Sequence, residues 1–399
     1  YTPVLDLVRQ TATYTPPVTS RSFAYLGITS WEATASGNPS LKSLAGKVTE
    51  LTPMPQRKTG ASYDETIVLN AALEAAVRDL FSHTGPTGQR ALDAVARRLQ
   101  TEATGGKPAD VVGRRMAYGQ SVAAHILAWS QTDGGATVGN MGFPVSMELP
   151  KGPGLWVPTS AIRQQQLPLL PAWGKNRLFA LPDSKACGLP PPPAYSEESG
   201  STFHKEALEV YETTKALTDE QKLIARFWSD VPMLTPTPPG HWIAIVLQIA
   251  ERDSLTVDRT AEAFARTGIA VADAFIACWR DKFVFNLVRP ITYIRKHIDP
   301  KFEPLLITPP FPEFPSGHSS ESGAAAEALT AMFGDDFAFE DSTHAREGLK
   351  PRPFKSFWAA AEEAGISRLY GGIHFRAAIE QGLAQGRCIG KHVAALEMR

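Results

Sequence analysis

Cysteine is scarce in this chain of 399 residues: only Cys187, Cys278 and Cys388, with no CxxC spacing. That excludes a disulfide scaffold and a structural zinc site as the basis of the fold, although one bridge stays open to the three thiols. Neither sign of charge is in excess, since 40 Lys plus Arg oppose 41 Asp plus Glu for a formal net charge of -1. No global field therefore recruits nucleic acid or an anionic membrane, and any anion site has to be local. No run of about 18 apolar residues occurs, which leaves no candidate membrane span. Alternating strand patterns are few, and no repeat of fixed period is evident. The first residues, YTPVLDLVRQ, show neither an initiator Met nor a signal-peptide pattern, so a processed or trimmed, secreted or periplasmic protein is expected.

What the chain does have is helical periodicity and 43% hydrophobic residues, ample for a large core. Leu69, Leu73, Ala76 and Leu80 form one amphipathic stripe, and residues 111–130 (VVGRRMAYGQSVAAHILAWS) form another. From about Asp133 to Ser201 the pattern stops in a stretch dense in Gly and Pro, whose Trp156, Trp173 and Leu169-Leu170 suit a segment laid across a surface or a site entrance. Helical signals return at about Thr218 and run through LTDEQKLIARFWSD, GHWIAIVLQIAERD, a long stretch from Val257 to about Val288, and segments near 355–370 and 375–396. The expected fold is all-α: helical bundles in a single catalytic domain spanning 1–399. An N-terminal arm and first helix (1–60) and a Pro/Gly-rich covering segment (133–201) would lie over a helical half (218–396) that carries the site.

Three short stretches stand out against this background. In the long run, Phe264, Gly268, Val271, Phe275, Cys278 and Lys282 fall on one face, so a lysine occupies a position that earlier turns fill with apolar or small residues. Arg289 follows seven residues on; a continuing helix would project both cations the same way, about 10 Å apart along the axis, while Pro290 favours a terminus at Arg289. Two inward cations are costly unless something negative sits between them. In PSGH (315–318), Ser316 is an N-cap candidate and Gly317 permits close backbone approach, so the unpaired amides of a helix start face the Ser-Gly-His corner. In SRLYGGIH (367–374), Gly371-Gly372 break the helix, so that Arg368 ends one helix and His374 opens the next.

Taken in order, KFVFNLVRP (282–290), PSGH and SRLYGGIH resemble the three-part signature shared by the vanadium-dependent haloperoxidases and the type-2 phosphatidic acid phosphatase superfamily. The resemblance implies a mostly helical fold holding a tetrahedral oxyanion, vanadate or phosphate, among helix ends. Lys282, Arg289 and Arg368 would balance its charge, and Ser316 and the Gly317 N–H would donate hydrogen bonds. His374 would ligate vanadium and His318 would be the general acid–base. In the vanadium branch, His318 would accept a proton from hydrogen peroxide and Lys282 would polarise the activated oxygen. A halide (bromide, iodide or chloride) would attack, and hypohalous acid would leave for small organic acceptors. In a soluble acid phosphatase, His374 would instead become a phosphohistidine and His318 would protonate the leaving alcohol.

Trp279 and Phe311 look like the aromatic positions flanking the vanadate site in fungal-type chloroperoxidases, and an apolar halide pocket there favours the peroxidase reading. Asp230 in RFWSD is similar to a family element whose carboxylate orients one of the arginines. A departure is Ala378, four residues after His374, where many members carry Asp; Glu380 or a backbone carbonyl would have to substitute. Loss of that hydrogen bond is the best argument for a noncatalytic oxyanion-binding member. His83, His125, His204, His297, His344 and His392 sit in no ligand spacing, whereas His241 in PPGHW opens a helix and is a candidate for a pocket role. A homo-oligomer is allowed.

Overall fold

Two long helices are buried on nearly every side, and the remaining elements are arranged around them. The computed structural model describes residues 1–160, 162–183 and 185–399. Among these, the first helices are α1 (Thr2–Arg9), α2 (Pro16–Ala35), α3 (Glu65–Leu80), α4 (Pro86–Thr104) and α5 (Ala109–Ser130). The next are α6 (Thr202–Lys215), α7 (Asp219–Phe227), α8 (Thr237–Arg252), α9 (Val257–Phe285) and α10 (Pro290–His297). The last are α11 (Gly317–Phe333), α12 (Phe357–Tyr370) and α13 (Arg376–Ala394). One antiparallel pair, β1 (Phe339–Asp341) and β2 (Arg352–Phe354), sets Phe339 opposite Phe354. The fold is all-α, as the periodicity implies.

The buried pair is α2 and α9. They cross at reciprocal glycines: a Cβ on Gly27 would lie 2.7 Å from the Phe264 carbonyl oxygen, and one on Gly268 would lie 2.6 Å from that of Phe23. Neither contact is tolerable, so only glycine allows the backbones this close. The N-terminal sixty residues are therefore not an arm with one helix. They contain two helices, and the second runs through the centre of the core; its Thr- and Ser-rich face disguises burial because hydroxyls such as Thr29 bond back to the preceding turn, here to the Tyr25 carbonyl at 2.8 Å. A second close crossing, of α11 against α13, brings the Cα of Gly382 so near the Ser316 carbonyl that an added Cβ would lie 2.9 Å from its oxygen.

Two further helices escape the periodicity. α6 begins at Thr202, sixteen residues before the expected return at Thr218, with Ser201 capping the His204 amide. α4 lies between the two N-terminal stripes and buries only Leu92, Ala96 and Ala103.

The segment from 133 to 201 is largely irregular and is tied to the helical core along its length. Leu155 bridges to Leu287, with the Trp156 N–H donating to the Asn286 carbonyl at 2.8 Å and the Val288 N–H to that of Gly154 at 2.8 Å. The Leu169 N–H donates to the Pro310 carbonyl at 2.9 Å. Further on, the amides of Phe179, Ala180 and Leu181 all donate to the buried Asp273 carboxylate on α9, at 2.7, 2.8 and 3.1 Å. A disulfide joins Cys187 to Cys388 on α13, while Cys278 is a buried free thiol.

The Asp273 clamp generates a stability prediction. Asp273→Ala leaves three amides, two of them buried, without an acceptor, at about 1–3 kcal/mol for each buried one before relaxation, so a total loss of about 3–5 kcal/mol is expected in urea unfolding. A loss below about 1 kcal/mol would show that the segment is held by its other contacts.

Candidate active site

The three motif segments meet where helix ends converge. α9 ends at Phe285 with Asn286 in the left-handed region (φ 44), so the chain turns away before Arg289. Arg289 is therefore not on the lysine's helix, as a continuous stripe would have it; it is the N-cap residue of α10, with Pro290 opening that helix. Ser316 caps α11, its Oγ accepting from the Ser319 N–H at 3.3 Å and the Ser319 hydroxyl at 3.0 Å. With its lone pairs so engaged, the Ser316 hydroxyl proton is free to donate. Arg368 sits in the last turn of α12, Gly372 turns the chain at φ 73, and His374 precedes α13.

Lys282, Arg289 and Arg368 are buried at 0%, 0% and 2% exposure. Burial pulls the Lys282 ammonium down to about 8 and both guanidiniums to about 10, which leaves all three charged at neutral pH. Their donors are unequally committed. Lys282 spends all three N–H groups on the carbonyls of Pro312, Glu313 and Pro315, so it shapes the 311–315 loop and supplies charge. Arg289 donates through Nε to the Phe311 carbonyl at 2.8 Å and through Nη1 to that of Ile373 at 2.9 Å, with His374 Nε2 at 3.1 Å. Arg289 Nη2 is buried and has no partner among the described residues. Arg368 donates to Ser367 Oγ and to the carbonyls of Ala225 and Trp228.

His374 is oriented by a residue that sequence reasoning missed. Glu313 Oε1 accepts from His374 Nδ1 at 2.9 Å and from the Phe375 N–H at 2.9 Å. This supplies the hydrogen bond that Ala378 cannot give. Glu380 does not supply it: it is exposed and faces Arg376 at 3.9 Å. The signal was an acidic residue between two prolines, FPEFP, in an apolar run. Burial raises Glu313 to about 8 and pushes His374 well below 6.5, Arg289 and Lys282 adding to the second shift. A neutral imidazole with Nδ1–H turned to Glu313 leaves the Nε2 lone pair facing the cations.

His318 lies across from this group with its side chain 19% exposed and Nε2 3.8 Å from Asp230 Oδ2, beyond hydrogen-bond range. Its Nε2 has no partner among the described residues. Desolvation, with Arg368 next, holds it well below 6.5 and therefore neutral. The Asp230 carboxylate makes no hydrogen bond to an arginine among the described residues. It accepts from His241 Nδ1 at 3.0 and 3.1 Å through both oxygens and approaches His344 Nε2 at 3.2 Å, while His241 Nε2 lies 2.6 Å from Asp341 Oδ2. His241 thus has a role beside the pocket; His344, read as ordinary, belongs to the same network. Burial opposes charge on His241, but Asp230 and Asp341 overturn it and raise the imidazole to about 10. Asp230, His241 and His344 bring their donor atoms within 4.8 Å of one another. The symmetric approach of one ring nitrogen to both carboxylate oxygens, with a second carboxylate on the other nitrogen, is nevertheless an imidazolium between two anions.

The site is short of negative charge. Lys282, Arg289, Arg368 and His241 are cationic, Asp230 and Asp341 are anionic, and burial keeps Glu313 and Glu321 protonated. Four cations facing two carboxylates, together with the orphaned Arg289 Nη2 and the free Ser316 proton, fit a tetrahedral oxyanion. Aromatic rings wall one side: Trp279 and Phe311 stand 4.9 Å apart, and the Trp279 indole N–H donates to the Leu169 carbonyl of the covering segment at 3.2 Å.

Known proteins are similar to this chain in sequence and fold. Residues 262–399 match the VCPO second helical-bundle domain. The chain is 25% identical over 211 residues to vanadium chloroperoxidase of Curvularia inaequalis, a match covering 38% of this chain and 35% of that relative. A solved bacterial vanadium-dependent iodoperoxidase is 38% identical, with a TM-score of 0.86 over 98% of this chain and 94% of its own. A holo-type bacterial vanadium-dependent chloroperoxidase shares the fold at 17% identity, with a TM-score of 0.68 over 98% of this chain and 95% of its own. Near-complete overlap with the iodoperoxidase at that identity places the chain in the vanadium-dependent haloperoxidase family as an enzyme of that family.

Proposed function

We propose that the chain is a vanadate-dependent peroxidase that oxidises iodide, and less readily bromide, with hydrogen peroxide to the hypohalous acid. The observation that carries the reading is the pairing of a buried guanidinium nitrogen with no partner among the described residues, Arg289 Nη2, with a neutral His374 whose Nε2 faces the same guanidinium. His374 Nε2 would ligate vanadium. Arg289, Arg368 and Lys282 would neutralise the oxyanion, and the Ser316 hydroxyl and Gly317 N–H would donate to it. Vanadate, once held, supplies a Lewis-acidic vanadium(V) that activates peroxide toward halide with no change in its own oxidation state.

His318 Nε2, neutral and unpartnered, accepts a proton from incoming hydrogen peroxide and returns it to the departing oxygen. Halide preference follows from what the wall does not offer. The Trp279 indole N–H is committed to Leu169, and all three Lys282 N–H groups are committed to carbonyls. Few donors are left to replace the water around a strongly hydrated chloride, whereas iodide loses least on entering an aromatic pocket. Similarity to a vanadium-dependent iodoperoxidase supports iodide as a substrate. Small organic molecules are the acceptors of the hypohalous acid. The Cys187–Cys388 bridge suits an oxidising compartment, and export is part of the proposal.

Protein loaded with orthovanadate should oxidise iodide with peroxide, with turnover falling from iodide to bromide to chloride, as followed by triiodide absorbance and phenol-red bromination. Turnover independent of vanadate, or hydrolysis of a nitrophenyl phosphate with no halide oxidation, would overturn the reading. Glu313→Ala should weaken orthovanadate binding about 10–100-fold in calorimetric titration. Glu313→Gln should lose less, because its carbonyl oxygen can still accept from His374 Nδ1. Unchanged affinity in a folded alanine variant would remove Glu313 from the site.

A further inference from the structure

We infer that His241 is a positioning residue for the acid–base group: clamped between Asp341 and Asp230, it fixes the Asp230 carboxylate against the open Nε2 of His318. The inference rests on the reading of His318 as the group that moves the proton. It starts from the backbone. Asp230 follows α7 with φ 46, in the left-handed region that aspartate visits more readily than most residues, and this turns its carboxylate toward α8. The carboxylate so presented takes both its oxygens to His241 Nδ1 and one to His344 Nε2, and Oδ2 is left 3.8 Å from His318 Nε2.

His241 cannot swing away. Asp341 holds its other nitrogen at 2.6 Å, and the Trp228 ring stacks on it at 4.5 Å with planes 19° apart. Trp228 also offers its carbonyl to Arg368, so the same short segment braces an oxyanion arginine and the carboxylate beside His318. Asp341 is itself fixed by the Thr343 N–H at 2.9 Å. The charged and titratable groups that act on His318 are Asp230 after α7, His241 on α8, Arg368 on α12 and His374 before α13, while Glu321 on α11 and Asp341 and His344 around β1 belong to the network around Asp230 and His241. Of these, Asp230 favours a proton on His318, while Arg368 and His241 oppose it.

Removing the clamp and removing the carboxylate therefore have opposite signs. His241→Asn deletes a cation and leaves Asp230 less compensated, so the acid limb of the pH–rate profile should move up by about one unit. Asp230→Asn should move it down by a similar amount. The His318 ring resonances of vanadate-free protein, titrated by NMR, should move in the same two directions. Shifts of the same sign, or none in folded variants, would overturn the inference. If His241→Asn does not fold, nitrogen shifts of His241 in the wild-type protein decide: both ring nitrogens should carry protons from pH 7 to 9, and one bare nitrogen at pH 7 would overturn it.

Stability gives a further check. The raised His241 value makes its contribution complete below 6.5 and lost as pH rises toward about 10. The melting-temperature gap between wild type and His241→Asn should shrink across that window; a widening gap contradicts the clamp. A wild-type protein inert toward peroxide and halide would remove the role given to His318 while leaving these titrations intact, so the two failures can be told apart.

Discussion

Buried positive charge without a matching anion is the constraint on which the rest of this structure depends. Lys282, Arg289 and Arg368 are withdrawn from water at the junction of α9, α10, α11 and α12, and each is held by backbone carbonyls. Carbonyl dipoles soften the desolvation of a cation but do not neutralise it. Among the described residues, the ionised carboxylates nearby, Asp230 and Asp341, are shared with the His241 imidazolium. Under the proposed function an oxyanion would complete this electrostatic balance, with the helix N-terminus at Ser316 and the orphaned Arg289 nitrogen as its donors.

The fold keeps those charges dry and in register. Glycine crossings bring α2 onto α9 and α13 onto α11, which sets Ser316 beside the start of the last helix. The Pro/Gly-rich segment closes the other side, lending a carbonyl from Leu169 to Trp279 and a strand-like contact from Leu155 to Leu287. Three aspartates share this work from different elements. Asp273 gathers loop amides, Asp341 fixes His241, and Asp230 faces His318.

Much of this was legible in the sequence, and the gaps have physical reasons. Six side chains and a glycine that converge on the chamber could be named because their types are rare in apolar or small-residue surroundings: a lysine in a buried stripe, a histidine after a capping serine, an arginine and a histidine around a glycine pair. Pro290 marks Arg289 as a helix terminus, but the end of α9 falls at Phe285 and not at about Val288, because a stripe cannot show that Asn286 adopts a left-handed turn. Glu313 was overlooked because a ligand's hydrogen-bond partner need not lie at a fixed offset; here it comes from 61 residues upstream. His344 was dismissed for the same reason, being joined to Asp230 across 114 residues. The core helix α2 was hidden by hydroxyls that bond within their own helix.

The central claim is that one oxyanion sits between Arg289 and His374 and answers the surplus charge. A crystal structure of the protein soaked in orthovanadate tests it most directly. The account predicts a single tetrahedral or bipyramidal density bonded to His374 Nε2 and within hydrogen-bond reach of Arg289 Nη2, the Ser316 hydroxyl and the Gly317 amide. An empty chamber at saturating vanadate, with Arg289 Nη2 bonded to another protein group, would contradict it.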